Sequence, residues 1–223
     1  MSRISHRVDQ IKPSATIMVS MKAMQLKAEG KDIVSLGFGE PDFDTPAHIR
    51  DAAIAAINQG KTRYTQVDGT PELKQAIIEK FRRDNELNFE PGQILVSNGA
   101  KQSLFNLLVA LLNRGDEVIV PAPYWVSYPD MVKLADAEPA ILVGTPEHDY
   151  KITARQLHNT LNENTRLIIF NSPSNPTGKV YTEEEYRELG DVLIEHPCYV
   201  PPSFRPTDLK YPPVRQDLIQ NIP

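Results

Sequence analysis

Three stretches of this chain read as strands that do not alternate: Glu117–Val120, apolar after its first residue, Ala140–Val143 and Leu167–Phe170. A strand with one wet face alternates apolar and polar residues. A run that does not alternate suits a strand buried on both faces, as in a parallel sheet covered by helices. Ile94–Ser97 is read as a fourth strand of the same kind, and Ile33–Leu36 is a shorter apolar run.

Between these runs the apolar period changes to that of a helix. Ile49, Ala52, Ala53, Ala56 and Ile57 form one face, opened by Thr45 as cap and Pro46 in first position and stopped at Gly60. Thr70 and Pro71 repeat the opening, with Leu73, Ala76, Ile77 and Phe81 as the face to be buried. Leu104, Leu107, Leu108 and Leu111 face inward on a helix that follows Asn98-Gly99-Ala100-Lys101 and stops at Gly115. Thr153 caps a short helix carrying Leu157 and Leu161, and Thr182-Glu183-Glu184-Glu185 is a capping box opening a helix to about Glu195. Met18, Met21, Met24 and Leu26 lie on a short amphipathic helix near the N-terminus. Strand and helix alternate from about 94 to 195, which predicts a three-layer α/β/α fold around a mostly parallel sheet. Segments 1–45, 46–197 and 198–223 form an N-terminal arm with a small-domain piece, the sheet domain, and an irregular tail.

The loops after the strands carry the candidate chemistry. Leu167–Phe170 runs into Asn171-Ser172-Pro173-Ser174-Asn175-Pro176-Thr177-Gly178. Its two X-Pro bonds fix φ and admit cis geometry, and its two amides, Asn171 and Asn175, could donate to a ligand. An ordinary strand-to-helix connection fits equally well here. Gly99 opens a helix whose first-turn N–H groups and dipole favour an anion, and Lys101 adds a positive charge. Trp125, the only Trp, follows a strand end, where it is either a core anchor or a flat surface for a planar ring.

Composition narrows the class. A net charge of −5 with no basic run argues against nucleic acid or an anionic membrane surface. No apolar stretch approaches about 18 residues, the length needed to span a membrane. One cysteine, Cys198, excludes an internal disulfide framework and fits the reducing cytoplasm. His6, His48, His148, His158 and His196 are scattered without ligand spacing, so no metal site is expected.

Five blocks then occur in order: Gly37–Pro46, Lys61–Tyr64, Ser97–Gln102, Pro123–Tyr128 and Asn171–Gly178. Together they resemble the fold-type I, class I aminotransferases, most closely the bacterial aspartate aminotransferase subgroup, over about residues 1–196. The resemblance implies pyridoxal 5′-phosphate as cofactor. It implies Gly99, Ala100 and Lys101 at the phosphate, Trp125 stacked on the pyridine ring, and Asn175 on the ring's phenolic oxygen. It implies Gly39 at the substrate α-carboxylate, with Thr16 and Lys101 near the distal carboxylate of an acidic substrate. Trp125 and Asn175 then border the substrate as well. Tyr64 would reach the cofactor phosphate of a neighbouring subunit, which implies a homodimer. The implied reaction moves an amino group between an acidic amino acid, aspartate favoured, and a 2-oxo acid. A carbon–sulfur lyase of the same fold, or a non-catalytic truncated product, are the alternatives.

The family's Schiff-base lysine, its pyridine-nitrogen Asp and its two substrate and phosphate arginines find no match here, so no catalytic residue is assigned. After His196 the chain departs from the family pattern, and seven of the last 27 residues are Pro. That tail reads as a shifted frame or an artificial end. The family's missing strands are expected to lie between those kept: two between Leu167–Phe170 and the pair Glu117–Val120 with Ala140–Val143, and one between Leu167–Phe170 and Ile94–Ser97. Strands left without neighbours expose apolar edges. The 223-residue chain is therefore expected to aggregate when purified. A single cooperative melt free of light scattering would contradict that.

Overall fold

A computed structural model describes residues 4–35, 39 and 42–196. The helices are α1 (His6–Asp9), α2 (Ala15–Ala28), α3 (Ala47–Asn58), α4 (Pro71–Asn85), α5 (Gly99–Leu111), α6 (Ser127–Leu134), α7 (Ala154–Thr160) and α8 (Glu183–Glu195). The strands among the described residues are β1 (Glu117–Ala122), β2 (Glu138–Val143) and β3 (Thr165–Ile168). Contacts group the chain into two units, one running from Lys12 to Val96 and the other combining the residues up to Ile11 with those from Ser97 onward. This division differs from the segments 1–45 and 46–197 drawn along the sequence.

The unit from Ser97 onward is the α/β body. Its sheet has the order β2-β1-β3, with both pairings parallel. β1 is the middle strand, and Val118, Ile119 and Val120 are all fully buried. Val118 and Val120 point into one apolar layer with Leu108 and Leu112 after α5, and Tyr128, Met131 and Val132 of α6. Ile119 points the other way, into a layer with Leu142, Leu157 of α7, Phe170, Tyr181 and Leu189 of α8. Each side chain alternates in direction, yet both directions are dry, which is why the run carries no polar residue.

Three of the four predicted caps, Thr70, Thr153 and Thr182, form. Thr153 accepts from Gln156 N–H and Thr182 accepts from Glu185 N–H, each with the reciprocal bond of a capping box. Thr70 accepts from Leu73 N–H at 3.3 Å. Thr45 does not cap α3, because Pro46 holds that position.

Several expectations are corrected. β3 pairs directly with β1, so no strand separates those two. Ile94–Ser97 is not a strand: Ile94 is buried, but the segment pairs in no ladder, and Val96 N–H instead donates to Asp68 O at 3.0 Å. In the unit from Lys12 to Val96, α3 buries none of its residues, and Ile57 is 63% exposed. α4 buries Lys74 and Ile77, not Leu73. Lys74 can be buried because it is ion-paired with Asp68, whose carboxyl that hydrogen bond holds below the usual carboxylate range. Met18, Met21 and Met24 of α2 are all exposed. On α5 only Leu108 is fully buried, while Leu107 and Leu111 reach the surface. The helical periods are right. The faces stay open because no described element covers them. Helix α6 went unpredicted, although Tyr128, Met131, Val132 and Ala135 recur at helical spacing.

Leu108→Ala should cost about 3 kcal/mol, since it empties a fully enclosed position. Leu107→Ala on the same helix should cost less than about 1 kcal/mol. Urea midpoints of the dilute variants compare the two, and equal losses would contradict the layer described for α5.

Candidate functional site: a cleft beyond the ends of the parallel strands

In a parallel sheet the carboxyl ends of the strands present loops to a common crevice. Here β1 ends into Pro121–Tyr124 and β3 ends into Ile169–Asn175, and both loops line one shallow cleft. Tyr128, Tyr150, Lys151, Thr177, Lys179 and Tyr181 complete its wall. The Ala122–Pro123, Ser172–Pro173 and Asn175–Pro176 bonds are all cis.

The loop after β3 is held from within. Asn171 Nδ2 donates to Pro173 O at 3.0 Å, and Asn171 Oδ1 accepts from Asn175 N–H at 2.9 Å. Ser174 N–H donates to Lys179 O and Gly178 N–H to Ser174 O. Tyr181 N–H donates to Ser172 Oγ at 3.2 Å. Asn171 was a candidate donor to a ligand on sequence grounds. Its side chain is instead committed to the loop, which leaves Asn175, exposed at the cleft, as the free amide of the two.

At the start of α5, Gly99 has φ +79° with open space where a side chain would stand. Asn98 N–H donates to Gln102 Oε1 at 2.6 Å. First-turn N–H groups such as those of Ala100 and Lys101 have no intrahelical acceptor. Ser97 Oγ, just ahead of the turn, is buried without a hydrogen-bond partner. A helix start with spare donors and an orphaned hydroxyl fits an anionic group.

Lys101 and Trp125 form a second group. Lys101 Nζ lies 4.7 Å from the centre of the Trp125 ring. Trp125 meets Tyr128 edge to face, with ring centres 5.4 Å apart. Neither Lys101 nor Trp125 lines the cleft, but Tyr128 borders both groups. Trp125 also packs on the buried layer around β1, so it is an anchor as well as an available ring. The other predicted residues belong to the unit from Lys12 to Val96. Tyr64 is fully exposed there, Gly39 is exposed with open space where a side chain would stand, and Thr16 lies half-buried in the first turn of α2. Most of the Gly37–Asp42 loop, and the tail from Pro197 with Cys198 and Lys210, lie outside the described residues. No cluster of metal-binding side chains is found among the described residues, and no described helix is long and apolar enough to cross a membrane.

Sequence reading missed Tyr181 and Lys151. Tyr181 Oη accepts from Ile152 N–H at 3.0 Å. Lys151 Nζ donates to Glu185 Oε2 at 2.7 Å and to Val180 O at 3.4 Å, and lies 5.8 Å from the Tyr181 ring centre. Burial alone would push the Glu185 carboxyl up. Its hydrogen bonds from Lys151 and the Thr182 backbone outweigh that and hold it below the usual range. These partners stand about thirty positions apart, and nothing local in the sequence marks them.

Residues 31–200 match the family model described as aminotransferase class I and II. The chain is 56% identical over 195 residues to the aspartate/prephenate aminotransferase of Nitrosomonas europaea, covering 87% of this chain and 49% of that protein. It is 50% identical over 194 residues to the aspartate aminotransferase of Bacillus subtilis, with coverages of 87% and 49%. The crystal structure of the Rhizobium meliloti aspartate aminotransferase superposes with a TM-score of 0.85 at 44% identity, covering 90% of this chain and 50% of that one. The Thermus thermophilus enzyme with maleate gives a TM-score of 0.84 at 44% identity, covering 90% and 52%. The chain spans about half the length of the curated relatives it matches.

Burial pushes the Tyr181 phenol up to about 12. The unfolded phenol titrates near pH 10, so between these values the native state binds the extra proton and stability falls as pH rises. Tyr181→Phe should flatten that alkaline slope. It should also cost about 1–3 kcal/mol at neutral pH by stranding Ile152 N–H. Urea midpoints at pH 8 and at about pH 11 check both, and an unchanged slope would contradict this placement.

Proposed function

The chain belongs to the class I and II aminotransferase family, and on that premise we propose that it supplies half of a pyridoxal 5′-phosphate site. In the complete protein that site moves an amino group between an acidic amino acid and a 2-oxo acid. The observation that carries this reading is the placement of Asn175: an exposed amide, held by its own loop, at a cleft beyond the ends of β1 and β3. Relatives named for aspartate and for prephenate support an acidic substrate.

In this reading the N–H groups of Ala100 and Lys101, with the open Gly99 turn, receive the cofactor phosphate. Trp125 offers its ring to the pyridine, with Lys101 withdrawn from the ring face to the phosphate or to a substrate carboxylate. Asn175 donates to the ring's phenolic oxygen. Gly39 presents backbone to the α-carboxylate, and Thr16 sits near the far end of the substrate. Tyr64, fully exposed, reaches a neighbouring subunit of a homodimer, and the cytoplasm is the site of action. Bound pyridoxal phosphate supplies the electron sink that lets the α-proton leave. No lysine of this chain is assigned to carry that proton.

Two measurements test the reading. Pyridoxal phosphate added to the 223-residue chain should quench Trp125 without a borohydride-stable lysine adduct, and Asn175→Ala should weaken that quench about tenfold. A covalent adduct on Lys101 or Lys179 would overturn the view that the chain has no such lysine. Residues 1–196 joined to the remaining half of the Nitrosomonas europaea relative should turn over aspartate with 2-oxoglutarate. Turnover of cystathionine in its place would make the protein a lyase.

A further inference from the structure

Three hydrogen bonds join the end of the loop that carries Asn175 to one short segment of the same unit. Lys179 Nζ donates to Asp149 Oδ1 at 2.6 Å. Lys151 Nζ donates to Val180 O, and Ile152 N–H donates to Tyr181 Oη. All three ties come from Asp149–Ile152, some thirty residues before the loop.

That segment has an unusual backbone. Asp149 and Tyr150 are consecutive non-glycine residues with φ of +54° and +60°. Asp tolerates the left-handed region and a ring-bearing residue resists it. The conformation therefore has to be imposed from outside. Gly144, the residue after β2, shows what imposes it. Its N–H donates to Ala122 O at 2.7 Å, at the end of β1. A Cβ on Gly144 would overlap the Tyr150 carbonyl and come within 3.0 Å of the Lys151 carbonyl carbon. The backbone of Tyr150–Lys151 thus packs directly on the end of the sheet, and only glycine leaves room for it.

Lys151 is the centre of this contact. Its side chain is 13% exposed, and it bonds Glu185 in the first turn of α8 as well as the loop. A nearly buried ammonium with two partners is costly to mismatch, so it fixes its neighbours more firmly than the exposed Lys179–Asp149 pair does.

We propose that Gly144 and Lys151 are positioning residues for the cofactor site: Gly144 seats Tyr150–Lys151 on the sheet, and Lys151 sets the loop that presents Asn175. Gly144 lies outside the cleft, and Lys151 borders it with its ammonium committed to Glu185 and Val180 O. The proposal rests on the reading of Asn175 given above, and it adds how that amide is aimed.

The test uses Lys151→Met, Lys151→Arg and Gly144→Ala in the full chain. The first measurement is amide hydrogen exchange. In Lys151→Met the amides of Ser174, Gly178 and Tyr181 should exchange about tenfold faster while those of β1 are unchanged. Lys151→Arg should restore them to within about twofold, because it keeps a charge-assisted hydrogen bond to Glu185. Gly144→Ala should give the same local pattern; if it does not fold, Lys151→Met carries the test. Loop exchange that stays at the wild-type rate, or that rises equally in β1, would overturn the proposal.

The second measurement is a pyridoxal phosphate titration followed by Trp125 fluorescence, the chain's only Trp. Lys151→Met should weaken binding about tenfold by loosening a pre-organised donor, with recovery in Lys151→Arg. In an Asn175→Ala background the same change should add less than about twofold. A full additional loss there would mean that Lys151 acts independently of Asn175, against the proposal. Absence of any quench in the wild-type chain would defeat the reading of Asn175 as a cofactor residue, and hydrogen exchange would still decide whether Lys151 holds the loop.

Discussion

The burial of β1 on both faces governs the rest of this body. Val118 and Val120 need one apolar layer and Ile119 needs another. Two strands must also pair with β1, because an unpaired backbone in so dry a place would leave its N–H and C=O groups unsatisfied. α5 and α6 are pinned to one side and α7 and α8 to the other. Parallel pairing then follows from the crossovers, since each strand returns to the same end only after passing through a helix. The same geometry collects the loops after β1 and β3 at one end. The cleft is a consequence of the core.

What could be read in advance follows this logic. The three apolar runs, the cap at Thr153, the capping box at Thr182 and the helical periods all depend on nearest neighbours along the chain, and they stand in the structure with small shifts at their ends. Strand order does not depend on neighbours. β3 lies beside β1 because the two match across nearly fifty residues, as the bonds from Asn162 and Thr165 to Glu117 show. Burial is likewise a property of what lies opposite. Ile57 and Leu111 carry the right period for an inward face, but a period gives direction without giving a partner. Ile94–Ser97 fails as a strand for the same reason: its composition suits a strand, and no ladder receives it.

The candidate site divides along the same line. Gly99, Lys101, Trp125 and Asn175 stand out in the sequence because the turns around them have local signatures. The structure adds that they form two groups bridged by Tyr128. It also separates Asn171 from Asn175. Identical side chains four positions apart take different roles, one closing the loop and the other left at the cleft. No propensity distinguishes them, because the difference lies in which carbonyl each amide can reach.

The least legible part is how the Asn175 loop is aimed. A strand end is a rigid support for the first residues beyond it, but rigidity decays along a loop, and Asn175 lies seven residues past Ile168. Hydrogen bonds within the loop fix its shape without fixing its direction. Direction requires contacts to something stiff, and the stiff partner within reach is the end of β2 acting through Gly144 and Tyr150–Lys151. The glycine that seats Tyr150–Lys151 and the lysine engaged with α8 therefore belong to the same device as the amide. Binding geometry then depends on all three, although Gly144 lies outside the cleft that Lys151 and Asn175 both line.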